Sequence, residues 1–568
     1  MTADGYYRSQ LKGMMSARRP QIYGGLIVLG LALITILPLV TTFVISFYAD
    51  GASLLDEFST ANWIDAIFGY PDVILNTLVF AFGSALLTTA LSVFISWSIA
   101  RTNVPFGRIW YYLLFGMIFI PPIVWEAVWI RLLGPNGFYN ALLPFHLDVF
   151  SLYGMILVQG IFMLPLSLIV LIPVFANVDN SLEEASRMSG GGVLRTIRSV
   201  TLPLVMPGIL ASFLLVLVIS LGNLRVPLMI GLPADIYVLP SKIYEDAVQA
   251  PTQYGAAFVD GTLLILFALP IFYFYRKALG DTGRYETIGG EAFSQAPVEL
   301  SRRGRYLLSS VIGLLLVVVT VVPVLVMIHG SFSPYIVPFQ DLFTGSHPSF
   351  TLQPYTVLLD DLTAQRAVRN SFIAATIATL LTIFGSVFLS WVVYKSDIAY
   401  RKVIDYMSFL PIALTSVSLA LGFIVIFLRI FPIGIYGTIW IIVLAYVTRS
   451  LATTIRVVTP SVQQIQDVLL EAGVMSGANK VTRIRTIVFP LILSTVHAVG
   501  ALRFAILFHE LPVSLLLQPA NLPLLAPYLY ELSVQGNYPR LAAIGVCVTA
   551  FLVVATVVIH RLGSSDDT

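Results

Sequence analysis

The sequence predicts an all-α polytopic membrane protein with about 12 transmembrane helices in two parallel six-helix repeats. Of its 568 residues 57% are hydrophobic and 11% are charged, whereas soluble domains carry about 25% charged residues. The apolar residues form runs long enough to cross the roughly 30 Å hydrocarbon core of a bilayer. In addition, a polar stretch of 22 residues occurs twice, at 182–203 and at 469–490.

Twelve apolar segments can be marked along the chain. Each is continuously apolar rather than alternating, which favours helices over the strands of a membrane barrel. The first follows two arginines and is too long for the core of a signal peptide, so we interpret it as a retained span. The segments cover 21–48, 73–100, 109–133, 150–175, 203–230 and 256–275, and then 306–330, 370–394, 403–429, 436–458, 490–517 and 540–560.

Orientation follows from the basic residues. Most of the 32 Lys and Arg residues fall at alternate ends of the apolar segments. Because such residues favour the cytoplasmic side, both termini and both copies of the polar stretch are predicted to be cytoplasmic. The two halves then have the same orientation, which is one of the known symmetries of transporters.

The predicted organisation has three parts. Residues 1–275 form the first half with its polar loop, 276–305 form a polar cytoplasmic linker, and 306–568 form the second half. Two short matches support the duplication, because Ser96-Trp97 recurs as Ser390-Trp391 near the end of the second segment of each half.

Each copy of the polar stretch contains a Glu-Ala pair, a Gly, and then a basic segment that leads to a Pro. Since Gly adopts positive φ readily, Gly190 and Gly477 are expected to end one short helix and redirect the chain. Pro203 and Pro490 suit the first turn of the helix that follows. We expect two short helices beside the membrane in each copy. The duplication favours a paired docking surface for a two-fold partner over an ordinary solvated loop.

This spacing resembles the EAA loop of bacterial ABC importer permeases. The residues that match are Glu184, Ala185, Gly190, Val200, Leu202 and Pro203 in the first copy, and Glu471, Ala472, Gly477, Ile487, Phe489 and Pro490 in the second. Ser186 and Gly473 depart from the second Ala that is common in the family, as Phe489 departs from Leu.

The resemblance covers essentially the whole chain and points to fused two-half permeases of the ferric-iron and thiamine type. It implies a type I ABC importer permease-like fold in which each EAA loop is a coupling helix. It further implies two ATP-binding subunits on the cytoplasmic side, an extracytoplasmic substrate-binding protein, and a location in the bacterial plasma (inner) membrane. Ferric iron is the first expected cargo. Thiamine, polyamines, phosphonates and sugar phosphates are the alternatives.

The sequence also narrows the chemistry of the chain. It contains no G-x-x-x-x-G-K-[ST] phosphate loop, so ATP is expected on partner subunits and no cofactor on this chain. Without a catalytic constellation or metal-ligand spacing, we expect neither an enzyme nor a resident metal. The net charge of +2 does not indicate a nucleic-acid partner. Membrane lipid is expected as a partner. An ion-gradient-driven secondary transporter is the alternative class, although it does not need the twin loop.

Ionisable side chains within apolar segments are costly, so they are candidates for a translocation path or gate. Arg225 and Glu510 lie near the ends of the fifth and eleventh segments, each two residues before a Pro. We expect them to hold equivalent places and to approach each other across the pseudo-two-fold axis, beside Asn223 and His509. Glu126 lies in the third segment. The alternative is an ion pair that only balances buried charge, or side chains that reach the interface.

Overall fold

The computed structural model describes residues 21–48, 58–144, 146–248, 252–279, 298–336, 350–396, 398–412 and 414–564. These residues contain helices and two isolated β-bridges, and no strand is found among them. Eight helices are long and apolar enough to cross a membrane, and four bent pairs raise the number to as many as 12. The all-α, polytopic fold class is therefore confirmed. Most of the predicted linker, at 280–297, lies outside the described residues.

The main helices are labelled in chain order. In the first half they are α1 Gln21–Ile45, α2 Pro71–Arg101, α3 Gly107–Phe119, α4 Pro122–Leu142, α5 Leu152–Phe162, α6 Leu164–Ala176, α7 Asn180–Met188, α8 Val193–Leu221, α9 Leu239–Val248 and α10 Tyr254–Leu279. In the second half they are α11 Arg302–Ser331, α12 Leu362–Lys395, α13 Arg401–Ile412, α14 Ser416–Ile430, α15 Ile439–Gln463, α16 Asp467–Met475, α17 Ile484–Leu491, α18 Leu493–Phe508, α19 Leu525–Val534 and α20 Tyr538–Ser564.

Small and hydroxyl-bearing side chains allow the long helices to approach closely. The Thr88 hydroxyl on α2 donates a 2.8 Å hydrogen bond to the Gly160 carbonyl on α5. A Cβ on Gly160 would lie only 2.8 Å from Leu87 Cδ2. On the opposite face of α2, Phe82 and Leu86 are more than half exposed. Small residues thus face other helices and large apolar ones face outward, as membrane helices require.

The first helix of each half packs against the other half. A Cβ on Gly422 of α14 would lie 2.8 Å from the Pro38 carbonyl oxygen of α1. In return, the Ser309 hydroxyl of α11 donates a 2.9 Å hydrogen bond to the Pro105 carbonyl in the first half. The first helix of each half therefore packs against the other half, which holds the two halves together.

Two segments that the sequence suggested were single spans, 109–133 and 403–429, are sharply bent pairs. The α3–α4 pair turns through 109° and the α13–α14 pair through 107°. Pro121 and Pro122 lie at the first bend, where each lacks the amide that a continuous helix needs. These bends bring side chains of α4 and α14 into the protein interior.

Candidate functional site

The polar loops contain two matched helices, α7 and α16. Each ends at the expected glycine, with φ of +82° at Gly190 and +78° at Gly477. In both copies the amide of the residue after this Gly donates to the carbonyl five residues earlier at 3.0 Å. This left-handed helix cap satisfies a terminal carbonyl and redirects the chain. The prediction that these glycines end a short helix is confirmed.

The two helices expose matching apolar side chains. Met188 is 90% exposed and Met475 is 89% exposed. Leu182 and Leu469 follow at 46% and 44%. The Glu and Ala residues singled out from the sequence are exposed as well, namely Glu184, Ala185, Glu471 and Ala472. Apolar side chains exposed beside carboxylates on short polar helices are typical of a protein-docking surface.

The segment after each glycine differs between the copies. Pro203 and Pro490 lie in the first turn of an α-helical segment, as expected, but five π-helical residues precede each of them. In the first copy this π-helical turn is continuous with α8, so the expectation of a separate second helix is wrong there. In the second copy, α17 and α18 meet at an angle of 73°.

Residues where the loops depart from the usual second Ala have local roles. Ser186 Oγ and Thr196 Oγ1 are hydrogen-bonded at 3.0 Å and tie α7 to the start of α8. At the matching place, a Cβ on Gly473 would lie 2.9 Å from Ile487 Cδ1, so Gly allows close packing instead. Each departure therefore fits its own copy.

The first loop is fastened to the end of α2 by buried polar contacts. Arg101 donates hydrogen bonds of 2.8 Å to the Glu183 carboxylate and 2.9 Å to the Val178 carbonyl. Thr201 donates a further 2.6 Å hydrogen bond to Glu183. The Arg101 and Glu183 side chains are each 1% exposed. This network joins α2, α7 and the π-helical turn of α8.

The start of α7 also carries an exposed acidic cap. Asp179 accepts a 2.9 Å hydrogen bond from the Ser181 amide. This amide stabilises the ionised carboxyl group and lowers the pKa of Asp179.

In the second copy, Lys395 at the end of α12 makes the corresponding contact. It donates hydrogen bonds of 2.8 Å to the Ile465 carbonyl and to the Asp467 carboxylate. Here the carboxylate is 74% exposed and the Lys395 side chain is 11% exposed. The Lys395–Asp467 ion pair of the second copy is therefore exposed to solvent at Asp467.

The interior polar residues form a cluster that joins both halves. Arg225 forms an ion pair with Glu126 at 3.7 Å, and its guanidinium group lies 4.8 Å from the centre of the Phe162 ring. Arg225 also interacts electrostatically with Glu510 and His509. The structure thus gives Arg225 an ion-pair partner in its own half, with Glu510 within electrostatic range.

The expectation that Arg225 and Glu510 hold equivalent places is wrong. Helix α8 ends at Leu221 and α18 ends at Phe508, and the counterpart of Glu510 beyond these ends is Asn223. Asn223 Oδ1 accepts from the amide three residues later at 3.1 Å, and Glu510 Oε2 does the same at 3.1 Å. The two side chains cap matching breaks in the fifth and eleventh segments. The sequence comparison placed Arg225 opposite Glu510 because each lies two residues before a Pro. Pro227 and Pro512 are not equivalent positions, so that alignment was wrong.

Within the part of the chain that is described, no group of three or more His, Cys, Asp or Glu side chains could hold a metal ion. The features that recur are exposed helices held at the ends of long spans, and a charged cluster between the two halves.

Comparison with known proteins finds similar transport proteins. No family model matches the chain. It is 25% identical over 426 residues to the putative ferric transport system permease protein FbpB 1 of Haemophilus influenzae, covering 73% of this chain and 63% of that protein. It is also 25% identical over 387 residues to the ferric transport system permease protein FbpB of Actinobacillus pleuropneumoniae, covering 66% and 54%. The chain is similar to these transport system permeases. It spans less than two thirds of the length of these two relatives.

Other similar proteins carry different names. The chain is 24% identical over 263 residues to the putative 2-aminoethylphosphonate transport system permease protein PhnV of Salmonella typhimurium, covering 46% of this chain and 96% of that protein. A solved bacterial alginate ABC transporter, in complex with alginate pentasaccharide-bound periplasmic protein, shares 18% identity with a TM-score of 0.37. That match covers 46% of this chain and 94% of the other.

Sequence reasoning missed two features of the loops. Met188 and Met475 are identical between the copies, and the sequence did not predict that both side chains are almost fully exposed. No role was predicted for Glu183, whose side chain is buried against Arg101. The available signal was the recurrence of a basic residue at the end of the second span, at Arg101 and Lys395.

Proposed function

We propose that this permease is the translocation subunit of an ATP-driven importer, and that α7 and α16 dock on two ATP-binding subunits. The observation that carries this proposal is the matched pair of exposed helices, each with an almost fully exposed Met beside the Glu of the EAA loop. Two copies of one surface on one chain suit two copies of one partner. The basic residues of the loops support a cytoplasmic position for this surface.

The proposed cycle follows from the connections of these helices. Closure of two ATP-binding subunits draws α7 and α16 together. Helix α7 transmits this movement to α2 and α8 through the contacts of Arg101 and Glu183, and α16 is linked to α12 through Lys395. Movement of these spans alters the charged cluster of Glu126, Arg225 and Glu510 between the halves, where cargo passes. An extracytoplasmic binding protein delivers that cargo.

Ferric iron is the cargo that we propose first. Two similar permeases are named for ferric transport, and both align with about two thirds or more of this chain. Relatives named for 2-aminoethylphosphonate and molybdenum align with shorter parts of it, so phosphonates and molybdate are the alternatives.

The docking surface is tested by placing charge on it. Met188→Glu combined with Met475→Glu should lower the ATPase activity that co-purifies with the full chain from its own cells by tenfold or more. Burial of a Met side chain contributes about 1.5–3 kcal/mol, and about 1.4 kcal/mol corresponds to tenfold in affinity. ATP-dependent uptake of ferric iron into vesicles should fall in parallel. Tyr153→Glu is the matched control, because Tyr153 is 83% exposed outside both loops.

Two results would contradict the proposal. Undiminished ATPase activity with the double Met variant would show that these helices are not the docking surface. Uptake that ferric iron does not support, but that 2-aminoethylphosphonate or molybdate does, would replace the proposed cargo and leave the ATP-driven mechanism in place.

A further inference from the structure

Each loop is held to the membrane helix before it by the same kind of contact, which we call the joint. Arg101 is the last residue of α2 and Lys395 is the last residue of α12. Each donates a hydrogen bond to the backbone carbonyl that precedes its loop helix, at Val178 and Ile465, with distances of 2.9 Å and 2.8 Å. These carbonyls match in the register of the two loops. The basic residues match in the register of the Ser-Trp pairs. Both the carbonyls and the basic residues thus occupy equivalent positions in the two halves. The joint is therefore part of the repeated architecture.

The carboxylates that complete the two joints are not equivalent. Glu183 lies within α7, is 1% exposed, and accepts hydrogen bonds from Arg101 and Thr201. Asp467 is the first residue of α16 and is 74% exposed. Breaking a buried ion pair by removing one partner leaves an uncompensated buried charge and is costly, whereas an exposed pair is screened by solvent and contributes little. The first joint is therefore much harder to open than the second.

Apolar residues replace the buried network in the second loop. The position of Glu183 is taken by Leu470, which is 6% exposed, and that of Thr201 is taken by Val488, which is fully buried. Both belong to one hydrophobic cluster with Ile465. Hydrogen bonds hold one orientation, but apolar burial is non-directional and tolerates sliding or rolling. The second loop helix can therefore change its orientation at lower cost.

The helices that follow the loops differ in the same sense. In the first copy the chain runs from Val193 to Leu221 as one helix. In the second copy α17 and α18 are bent by 73°. This break is independent of the side chains at the joint, and it also separates the second loop from the span behind it.

We propose that the two coupling helices are mechanically unequal. Arg101, Glu183 and Thr201 are positioning residues that make α7 move as one body with α2 and α8. The joint of Lys395 with α16 works as a hinge. The ATP-binding subunit docked on α7 therefore moves α2 and α8 directly. The subunit docked on α16 first rotates α16, and α12 follows. This mechanical role depends on the proposed ATP-driven function, but the difference in rigidity does not.

The rigidity is measured on the full chain by distances between paired nitroxide labels. In a Cys547→Ser background, Ser189→Cys with Ser199→Cys labels the first loop. Ser476→Cys with Thr486→Cys labels the same two places in the second. All four positions are exposed, and in both loops their hydroxyls donate to the carbonyl four residues earlier. The distance distribution is expected to be narrower in the first loop than in the second.

Exchanging the joints tests which residues cause the difference. The first-loop exchange is Arg101→Lys, Asn180→Asp, Glu183→Leu and Thr201→Val, and the reciprocal exchange is Lys395→Arg, Asp467→Asn, Leu470→Glu and Val488→Thr. The first exchange should broaden the first-loop distribution to the width of the second, and the reciprocal exchange should narrow the second. Thr201→Val alone removes one hydrogen bond and should broaden the first-loop distribution less. This mild variant keeps the test available if an exchanged chain fails to fold.

The functional readout is cargo transported per ATP hydrolysed, with ferric iron as the probe, in the co-purified complex. The first-loop exchange should lower this ratio while ATPase activity continues, because the docking surface is unchanged. Equal distributions in the two wild-type loops would overturn the inference. An unchanged transport ratio after a broadening exchange would overturn its mechanical part. Absence of any co-purifying ATPase would instead refute the proposed function, and the distance comparison would stand on its own.

Discussion

Gly190 and Gly477 hold their loops in shape through backbone conformation alone. Both have positive φ, and no atom lies within 4 Å of the place where a Cβ would be added. An Ala at either position would meet no neighbour, yet the left-handed backbone costs an L-residue roughly 1–2 kcal/mol. The effect of substitution is therefore confined to how well the loop helix ends.

Gly190→Ala should loosen the end of α7 without unfolding the protein. A cost of about 1–2 kcal/mol predicts that amides near the end of α7 exchange hydrogen roughly 5- to 30-fold faster. Hydrogen exchange read by mass spectrometry measures this. Gly192→Ala is the control in the same loop, because Gly192 has φ of −70° and equally open surroundings. If both variants exchange alike, the backbone explanation of the repeated glycine position is wrong.

Between elements, the ion pair of Glu126 and Arg225 connects α4 to the break that follows α8. Only 2% of the Glu126 side chain and 11% of the Arg225 side chain are exposed. Removing one charge leaves the other buried without its partner, which costs more than the pair itself contributes. A structural ion pair and a residue of the cargo path therefore respond differently when both charges are removed together.

Glu126→Gln alone should lower the free energy of unfolding by about 3–5 kcal/mol, seen as a lower unfolding temperature in detergent. Glu126→Gln with Arg225→Gln should recover most of that loss. If the double variant is stable but transports no ferric iron, the pair belongs to the cargo path. Recovery of both stability and transport would show that it only balances charge. The reverse assignment, in which Arg225 pairs with Glu510, predicts that Glu510→Gln instead gives the larger loss.

The elements differ in how far sequence could predict them. Long apolar runs and the glycine caps follow from local rules, since a lipid-facing backbone must be helical and Gly190 suits a left-handed cap. The bend at Pro121 depends on how a proline break is packed, which local pattern does not specify. The partnership of Arg101 with Glu183 joins distant parts of the chain. It leaves no periodic signal, because a buried Glu next to an exposed Glu reads as an ordinary polar turn.

At the scale of the whole molecule, the reciprocal packing of α1 and α11 means that neither half is independent of the other. Helix α1 contacts α14 through the close approach of Gly422 to Pro38, and the Thr42 hydroxyl donates a 3.4 Å hydrogen bond to the Ser418 carbonyl. Tilting one half must therefore carry the first helix of the other with it. This linkage provides a route by which movement at one loop reaches both halves.

Gly422→Ala tests this linkage, because its Cβ would lie 2.8 Å from a backbone oxygen of α1 that cannot rotate away. Overpacking of this kind costs about 1–3 kcal/mol, so the unfolding temperature should fall. Hydrogen exchange should rise in α1 and α14 together. Gly30→Ala, also in α1, is the matched control, because no atom lies within 4 Å of its added Cβ. A helix gains roughly 1 kcal/mol from Gly to Ala, so this control should be neutral or stabilising. Faster exchange in α14 alone would show that the first helix is not coupled to the opposite half.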